Sequence, residues 1–299
     1  MKKAILIIAA LAIAAFMLPP KRTKALNHHA AATPEPTLID QKARGDELTE
    51  EFHQAYQLSP TGRVSISNIN GDVRISVWDN SSVKVDAVKR AYSPARLSEM
   101  TIEVTNTADS VKIRTQYPQR ERYSGNDRVD NPGTVEYTLT IPRGASLEGA
   151  ELVNGALDVE GIQGDVNASL VNGKVTASNL SGEVKLSSVN GRVTASGLSG
   201  EVKLSTVNGR LDVNLASLGG SKNVTLNSVN GSIVLAIPGG ASADVKASTV
   251  HGGITNDFGW TVEDGQYVGH NMSGQIGSGG ARVRLNNVNG SISVKRGGV

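Results

Sequence analysis

Residues 153–188 read VNGALDVEG (153–161), IQGDVNASL (162–170), VNGKVTASN (171–179) and LSGEVKLSS (180–188), and the nine-residue frame restarts at Val189, Leu198 and Val207. Each frame holds apolar residues at its first, fifth and seventh places and Gly at its third, which predicts one short strand and one tight turn. Asn-Gly frames alternate with Ser-Gly-type frames, so the full period is 18 residues. The pattern predicts an all-β fold, a parallel β-solenoid with the two turn types on opposite edges.

Stacking places equivalent residues of successive coils above one another, because parallel strands pair about 4.8 Å apart. At the seventh place, Ala177 and Ala195 belong to one face, whereas Leu186 and Leu204 belong to the other. Small side chains that meet large ones fill a thin core, which favours a continuous coil over independent hairpins. The solenoid is predicted to span residues 146–299.

The period loosens after residue 207. Asn-Gly recurs at Asn230 and Asn289, and His251-Gly252 replaces it once. The longer spacings predict insertions at the opposite edge, around residues 218–220 and 238–240.

A segment at residues 256–280 interrupts the frame and contains Phe258, Trp260 and Tyr267. Two interpretations are open. The first is a cap, because bulky residues commonly cover the unpaired strand edges at the end of a solenoid. The second is a recognition loop that contacts a partner through its aromatic rings.

The region before the solenoid, residues 51–145, alternates apolar and polar residues with period two, which predicts half-buried strands. Residues 91–100 fit either a helical turn or a loop, and residues 117–132 are rich in charge and turn formers, which predicts a mobile excursion. The alternating runs are Val64 and Ile66; Val73, Ile75 and Val77; Val83 and Val85; Ile102 and Val104; Val111 and Ile113; and Val135, Tyr137, Leu139 and Ile141.

The N-terminus has the form of a secretory signal. Met1-Lys2-Lys3 precedes an apolar run at residues 4–18, which is short for a membrane span. A signal peptide is predicted at residues 1–25, with a second candidate cleavage site at residues 30–32 and an uncleaved N-terminal anchor as the alternative. Residues 26–50 are predicted to form a flexible linker.

Composition narrows the classes of function. The chain has 299 residues, of which 38% are hydrophobic and 4% aromatic, and its 33 Gly suit a thin repeated structure. Removal of residues 1–25 takes away five of the 30 basic residues and none of the 28 acidic ones, which leaves a net charge of −3. That charge argues against nucleic-acid binding. The chain contains no cysteine, which excludes anchoring through a lipidated thiol.

Three stretches carry a resemblance to a known family. They are Val64-Ser-Ile-Ser-Asn-Ile-Asn-Gly-Asp-Val-Arg-Ile-Ser-Val-Trp78, Tyr137-Thr-Leu-Thr-Ile-Pro142, and the late Asn-Gly repeats that close with Val288-Asn-Gly-Ser-Ile-Ser-Val-Lys295. They resemble the bacterial β-strand-repeat family of adhesin-like proteins and, more distantly, the head domains of autotransporter adhesins. The resemblance implies a non-enzymatic envelope protein and brings no catalytic residues with it.

The Asn-Gly turns form the first candidate column. Asn before Gly is what a tight turn requires, and stacked amides bond one another, so a structural ladder is predicted, with binding of a polar ligand as the alternative. His251 is interpreted as a tolerated substitution, because no second His or Cys lies at the spacing of a metal site. The ladder residues are Asn154, Asn172, Asn190, Asn208, Asn230 and Asn289.

Charged columns are the second kind of candidate. Lys174, Arg192 and Arg210 are predicted to form a basic column with no compensating charge, which either binds a sulfated or phosphorylated glycan or remains a solvated face. On the other face an acidic column is predicted to neutralise the lysines beside it. That face holds Asp165, Glu183 and Glu201 beside Asn167, Lys185 and Lys203.

Three functions of different class follow from the sequence. The preferred one is an exported, non-enzymatic adhesion or binding module of the periplasm or cell surface, whose partner is an envelope polysaccharide or an envelope protein. The alternative is a structural protein that self-associates end to end. A carbohydrate-active enzyme is the remote alternative, because the carboxylates of Asp165 and Glu183 lie on an open face rather than in a cleft. No motif for a metal, a cofactor or nucleic acid is present.

Overall fold

The computed structural model describes residues 47–117, 133–265 and 268–297. The first nine strands are β1 (Leu48–Gln57), β2 (Arg63–Asn70), β3 (Val73–Trp78), β4 (Ser82–Ala91), β5 (Thr101–Thr107), β6 (Ser110–Gln116), β7 (Thr134–Pro142), β8 (Ser146–Asn154) and β9 (Leu157–Glu160), with helix α1 (Pro94–Glu99) between β4 and β5. The later strands are β10 (Val166–Asn172), β11 (Val175–Ser178), β12 (Val184–Asn190), β13 (Val193–Leu198), β14 (Val202–Asn208), β15 (Leu211–Leu215), β16 (Asn223–Asn230), β17 (Ile233–Ile237), β18 (Ala243–His251), β19 (Ile254–Asn256), β20 (Val262–Asp264), β21 (His270–Ile276), β22 (Ala281–Asn289) and β23 (Ile292–Arg296).

The described strands form two long sheets. Sheet A has 11 strands in the order β1-β4-β7-β3-β9-β11-β13-β15-β17-β23-β19. Sheet B has 12 strands in the order β20-β21-β18-β22-β16-β14-β12-β10-β8-β2-β6-β5. Each coil contributes one strand to each sheet, and the apolar core lies between the sheets. The predicted all-β parallel solenoid is confirmed.

The middle coils, from β10 to β17, stack in the order of the chain. Ala177 pairs with Ala195 in sheet A, and Leu186 pairs with Leu204 in sheet B. All four side chains are buried, so small residues from one sheet and large residues from the other share the core.

Close approach of neighbouring coils dictates glycine at the turns. The backbone of Gly191 does not adopt the left-handed conformation. A Cβ on Gly191 would nevertheless lie 1.8 Å from the carbonyl oxygen of Gly173, and one on Gly209 would lie 1.9 Å from that of Gly191. Glycine is therefore required at these places because the strand spacing leaves no room for a side chain.

Both ends of the solenoid depart from chain order. In sheet B, β22 lies between β16 and β18, and in sheet A, β23 lies between β17 and β19. At the other end, β2 and β3 lie between the coil of β6 and β7 and the coil of β8 and β9. We call the coils β2–β3 and β22–β23 the inserted coils, since each lies between two coils that are consecutive in the chain.

The inserted coils share a buried Asn two residues before the turn Asn. Asn68 Nδ2 donates to the carbonyl oxygen of Val135 at 2.8 Å, and Asn287 Nδ2 donates to that of Gly231 at 2.7 Å. The sequence Asn-x-Asn-Gly therefore marks both inserted coils. In the other coils with an Asn-Gly or His-Gly turn, the same place holds Leu152, Leu170, Ser188, Thr206, Ser228 or Thr249.

Antiparallel strands close both ends. Strands β4 and β1 extend sheet A beyond β7, and β5 extends sheet B beyond β6. At the C-terminal end, β21 and β20 extend sheet B beyond β18. Short edge strands such as β19 and β20 limit the pairing of sheet edges with other chains.

The remaining predictions for the N-terminal half have mixed outcomes. Helix α1 shows that residues 91–100 contain a helical turn. Within the described ranges, no helix is long and apolar enough to cross a membrane. Strand β1 begins at Leu48, inside the range predicted as linker. The predicted signal peptide and almost all of the excursion at residues 117–132 lie outside the described residues.

Candidate functional site

The turn asparagines form one continuous ladder along the Asn-Gly edge. Each amide nitrogen donates to the Oδ1 of the Asn in the neighbouring coil, at 2.8 to 3.0 Å. The sequence prediction missed Asn70, which starts the ladder in the inserted coil β2–β3. His251 pairs with Asn289 in register and stands at the far end. In spatial order the ladder is Asn70, Asn154, Asn172, Asn190, Asn208, Asn230 and Asn289.

An apolar column lies beside the ladder on the outer face of sheet B. It is formed by the residue before each turn Asn or His. Ile69, Val153 and Val171 are exposed by 42%, 38% and 40%, and the others are partly exposed. The sequence signal for this column is the apolar residue at the first place of every Asn-Gly frame. The remaining members are Val189, Val207, Val229, Val288 and Val250.

The predicted basic column lies on the other side of the ladder. The backbone nitrogen of Val175 donates to Arg192 O, and that of Val193 donates to Arg210 O, which places Lys174, Arg192 and Arg210 in successive coils. The prediction that this column has no compensating charge is wrong. Asp212 accepts a hydrogen bond from Arg210 Nε at 2.5 Å and lies 3.8 Å from Arg192 Nε. The column therefore retains two net positive charges.

The outer face of sheet B holds the second set of predicted charges. Glu183 pairs with Lys185 at 2.7 Å, and this hydrogen bond raises the pKa of the Lys185 ammonium. Asp165 Oδ1 accepts a hydrogen bond from the backbone nitrogen of Glu183 at 2.8 Å. Both carboxylates of the hypothetical enzyme site are therefore engaged in contacts within the stack.

Two of the three aromatic residues that the sequence singled out, Phe258 and Trp260, pack at the C-terminal end of the solenoid. The rings of Phe258 and Trp260 stack with centroids 4.6 Å apart, and the guanidinium of Arg296 lies 5.1 Å from the Phe258 centroid. Both rings pack against the core, and Trp260 occupies the space that a side chain at Gly274 would need. These contacts are those of a cap. Tyr267 lies outside the described residues.

In the described part of the chain, no group of three or more His, Asp or Glu side chains is arranged to hold a metal ion. Along the Asn-Gly edge, stacked coils form parallel columns of side chains. Each coil with an Asn-Gly turn contributes an apolar residue and the amide of its turn residue, and three coils also contribute a cation within the same five residues.

A family model settles the relationship of this fold to known proteins. The model of the family described as Toastrack DUF4097 matches residues 63–295, which is well over half of the chain. The chain belongs to the Toastrack family. The family resemblance drawn from the Asn-Gly segments is confirmed, and the inserted coils lie within the matched range.

Solved structures are similar to this Toastrack chain only at low identity. A putative cell adhesion protein from Clostridium sporogenes ATCC 15579 has 15% identity and a TM-score of 0.39, with 83% of this chain and 100% of that chain covered. A putative adhesin from Bacteroides fragilis NCTC 9343 has 11% identity and a TM-score of 0.37, over 83% and 97%. A putative lipid binding protein from Parabacteroides distasonis ATCC 8503 has 12% identity and a TM-score of 0.37, over 85% and 98%. No curated protein matches.

Proposed function

We propose that this Toastrack chain is an exported, non-enzymatic binding module of the cell envelope that holds an acidic polysaccharide along its Asn-Gly edge. The observation that carries the proposal is the placement of Lys174, Arg192 and Arg210 in three successive coils beside the asparagine ladder. Export rests on the signal-like sequence at residues 1–25.

Charge is the first reason to expect an acidic partner. Three cations about 4.8 Å apart repel one another, and Asp212 offsets only one of them. A polymer with a carboxylate or sulfate on successive sugars would place its anions along the same line. Because the column is exposed, the attraction is expected to weaken as salt is added.

The ladder supplies hydrogen bonds to such a polymer. A primary amide has two N–H donors, and each ladder bond uses one of them. The second N–H and one lone pair of each exposed Asn remain for hydroxyl groups of a sugar. The apolar column beside the ladder offers contacts for the C–H faces of sugar rings.

A binding comparison tests the proposal. The full chain is titrated with an acidic polysaccharide, such as polygalacturonate, and with neutral dextran, and the titrations are repeated with K174S/R192S/R210S. We expect saturable binding of the acidic polymer alone, weakened at least about tenfold in the variant, because each charge-assisted contact contributes about 1.5–3 kcal/mol.

K185S/K203S/R282S is the matched control, since it removes the same charge from the outer face of sheet B at exposed positions away from the Asn-Gly edge. Equal weakening in the two variants would show non-specific attraction and would sink the proposal. Concentration-dependent filaments in sedimentation would favour end-to-end self-association instead.

A further inference from the structure

A polar depression lies on the outer face of sheet B at the C-terminal end, where β18, β21 and β22 meet. Its volume is about 380 Å³, within the range of small-molecule sites, which is roughly 300–1,000 Å³. Lys246 and Arg284 pair directly across β18 and β22. Because Ala247 and Leu285 next to them are buried, both cations point to the outer face.

Neither cation is engaged by a neighbouring side chain of the described residues. Within the described ranges neither Lys246 nor Arg284 forms an ion pair, and their side chains make no hydrogen bond. Like charges directly opposite each other destabilise a sheet, and an anion between them would remove that repulsion.

Neutral donors surround the pair. Asn271 and Ser273 lie on β21 opposite Ser248 and Lys246, and their side chains make no hydrogen bond within the described part of the chain. Asn286 uses one N–H toward Asn227 at 2.9 Å and keeps the other. These groups lie beside both cations, so the depression has more donors than a single anion needs.

An acceptor completes the lining. Glu263 pairs in register with Asn271 across β20 and β21 and lines the same depression. A carboxylate accepts hydrogen bonds from sugar hydroxyls, whereas it would repel a bare anion. The combination therefore selects a ligand with one anionic group and several hydroxyls.

The depression at the opposite end of sheet B shows that this arrangement is not a general property of solenoid ends. That depression also contains two cations and a glutamate, namely Arg63, Lys112 and Glu148. There Arg63 lies 3.9 Å from Glu148, so one cation is already paired.

We propose that the C-terminal depression binds an acidic sugar, a pyranose that carries one carboxylate or phosphate group. Lys246 and Arg284 contact the anionic group, and Arg284 presents its guanidinium fork to two oxygens of that group. Asn271, Ser273 and Glu263 contact the hydroxyls. This site does not depend on the Asn-Gly edge and can be correct when the polysaccharide proposal fails.

Calorimetric titration of the full chain tests the site with glucuronate, glucose 6-phosphate, glucose and inorganic phosphate. We expect binding of at least one acidic sugar, no binding of glucose, and weaker binding of inorganic phosphate. K246Q/R284Q is expected to lose binding at least about tenfold, as removal of charge-assisted hydrogen bonds predicts. E263Q is expected to keep the anion contact and to lower the preference for sugar over inorganic phosphate.

R282Q is the matched control, since Arg282 is exposed on the same strand and lies outside the lining. It should bind within about twofold of the parent, and K174S/R192S/R210S should bind like the parent. Equal binding by K246Q/R284Q and the parent would overturn the proposal. It is also overturned if inorganic phosphate binds as tightly as glucose 6-phosphate, or if neither acidic sugar saturates at about 10 mM.

Discussion

The middle coils and the ends of this solenoid are built from the same turn and stack by different rules. From β10 to β17 each coil lies on the one before it in the chain, whereas β2–β3 and β22–β23 are each inserted between two coils that are consecutive in the chain. Both regions keep the asparagine ladder in register. The comparison teaches that the repeat specifies how a coil pairs, and that other residues specify which coil it pairs with.

The largest effect is expected from a side chain at a turn glycine of the middle coils. Gly191→Ala would place a Cβ 1.8 Å from the carbonyl oxygen of Gly173, so neighbouring coils must separate. The expected loss is about 3 kcal/mol or more of unfolding free energy, measured by urea denaturation.

Gly239→Ala is the control for that substitution, because a Cβ there meets no atom within 4 Å. It should change the unfolding free energy by less than about 0.5 kcal/mol. Similar losses in the two variants would contradict the close stacking of the middle coils.

A smaller effect is expected from breaking the ladder that both regions share. Asn190→Ala removes two amide hydrogen bonds, one to Asn172 and one from Asn208. Net hydrogen bonds contribute about 1 kcal/mol each, so the expected loss is about 1–2 kcal/mol in the same assay. Asn214→Ala, at an exposed position of sheet A without a side-chain hydrogen bond in the described part of the chain, should be nearly neutral.

The smallest effect on stability is expected from the ionisation of a histidine at the N-terminal end of the solenoid. His53 on β1 hydrogen-bonds to Asp86 at 2.8 Å and to Glu51 at 3.1 Å, and these bonds raise the pKa of the imidazole. The protonated ring therefore stabilises the fold fully below the unfolded pKa of about 6.5, and this contribution is lost as the pH rises through the higher folded pKa.

Comparison of the parent with His53→Gln checks this dependence. The urea midpoint of the parent should exceed that of the variant at about pH 5, and the difference should shrink by about pH 8. A difference that grows with pH would contradict the assignment.

Much of the structure of the middle coils could be predicted from the sequence, because the 18-residue period fixes their strands, turns and register together. The order of coils at the ends could not, since the period says nothing about which coil is the neighbour. The signal that was available is the buried Asn of Asn-x-Asn-Gly at Asn68 and Asn287. It could be interpreted only once its carbonyl partners were located.

The candidate site was predictable to a similar degree. Register alone placed Lys174, Arg192 and Arg210 in one column. The compensating Asp212 was missed, because only a column of like charges was considered and Asp212 lies two positions beyond Arg210, on β15. Lys246 and Arg284 are 38 positions apart in the chain, and only the pairing of β18 with β22 brings them together.

The position of the inserted coil β22–β23 in the stack is tested most directly by disulfide formation, because the chain has no cysteine of its own. Asn230 is the register partner of Asn289, whereas His251 lies one coil further away. Disulfides need Cα atoms roughly 4.4–6.8 Å apart, and parallel strands lie about 4.8 Å apart. We predict that oxidation of the folded N230C/N289C variant forms an intramolecular disulfide and that N230C/H251C stays reduced. A disulfide in N230C/H251C and none in N230C/N289C would show that the coils follow chain order and would contradict the account.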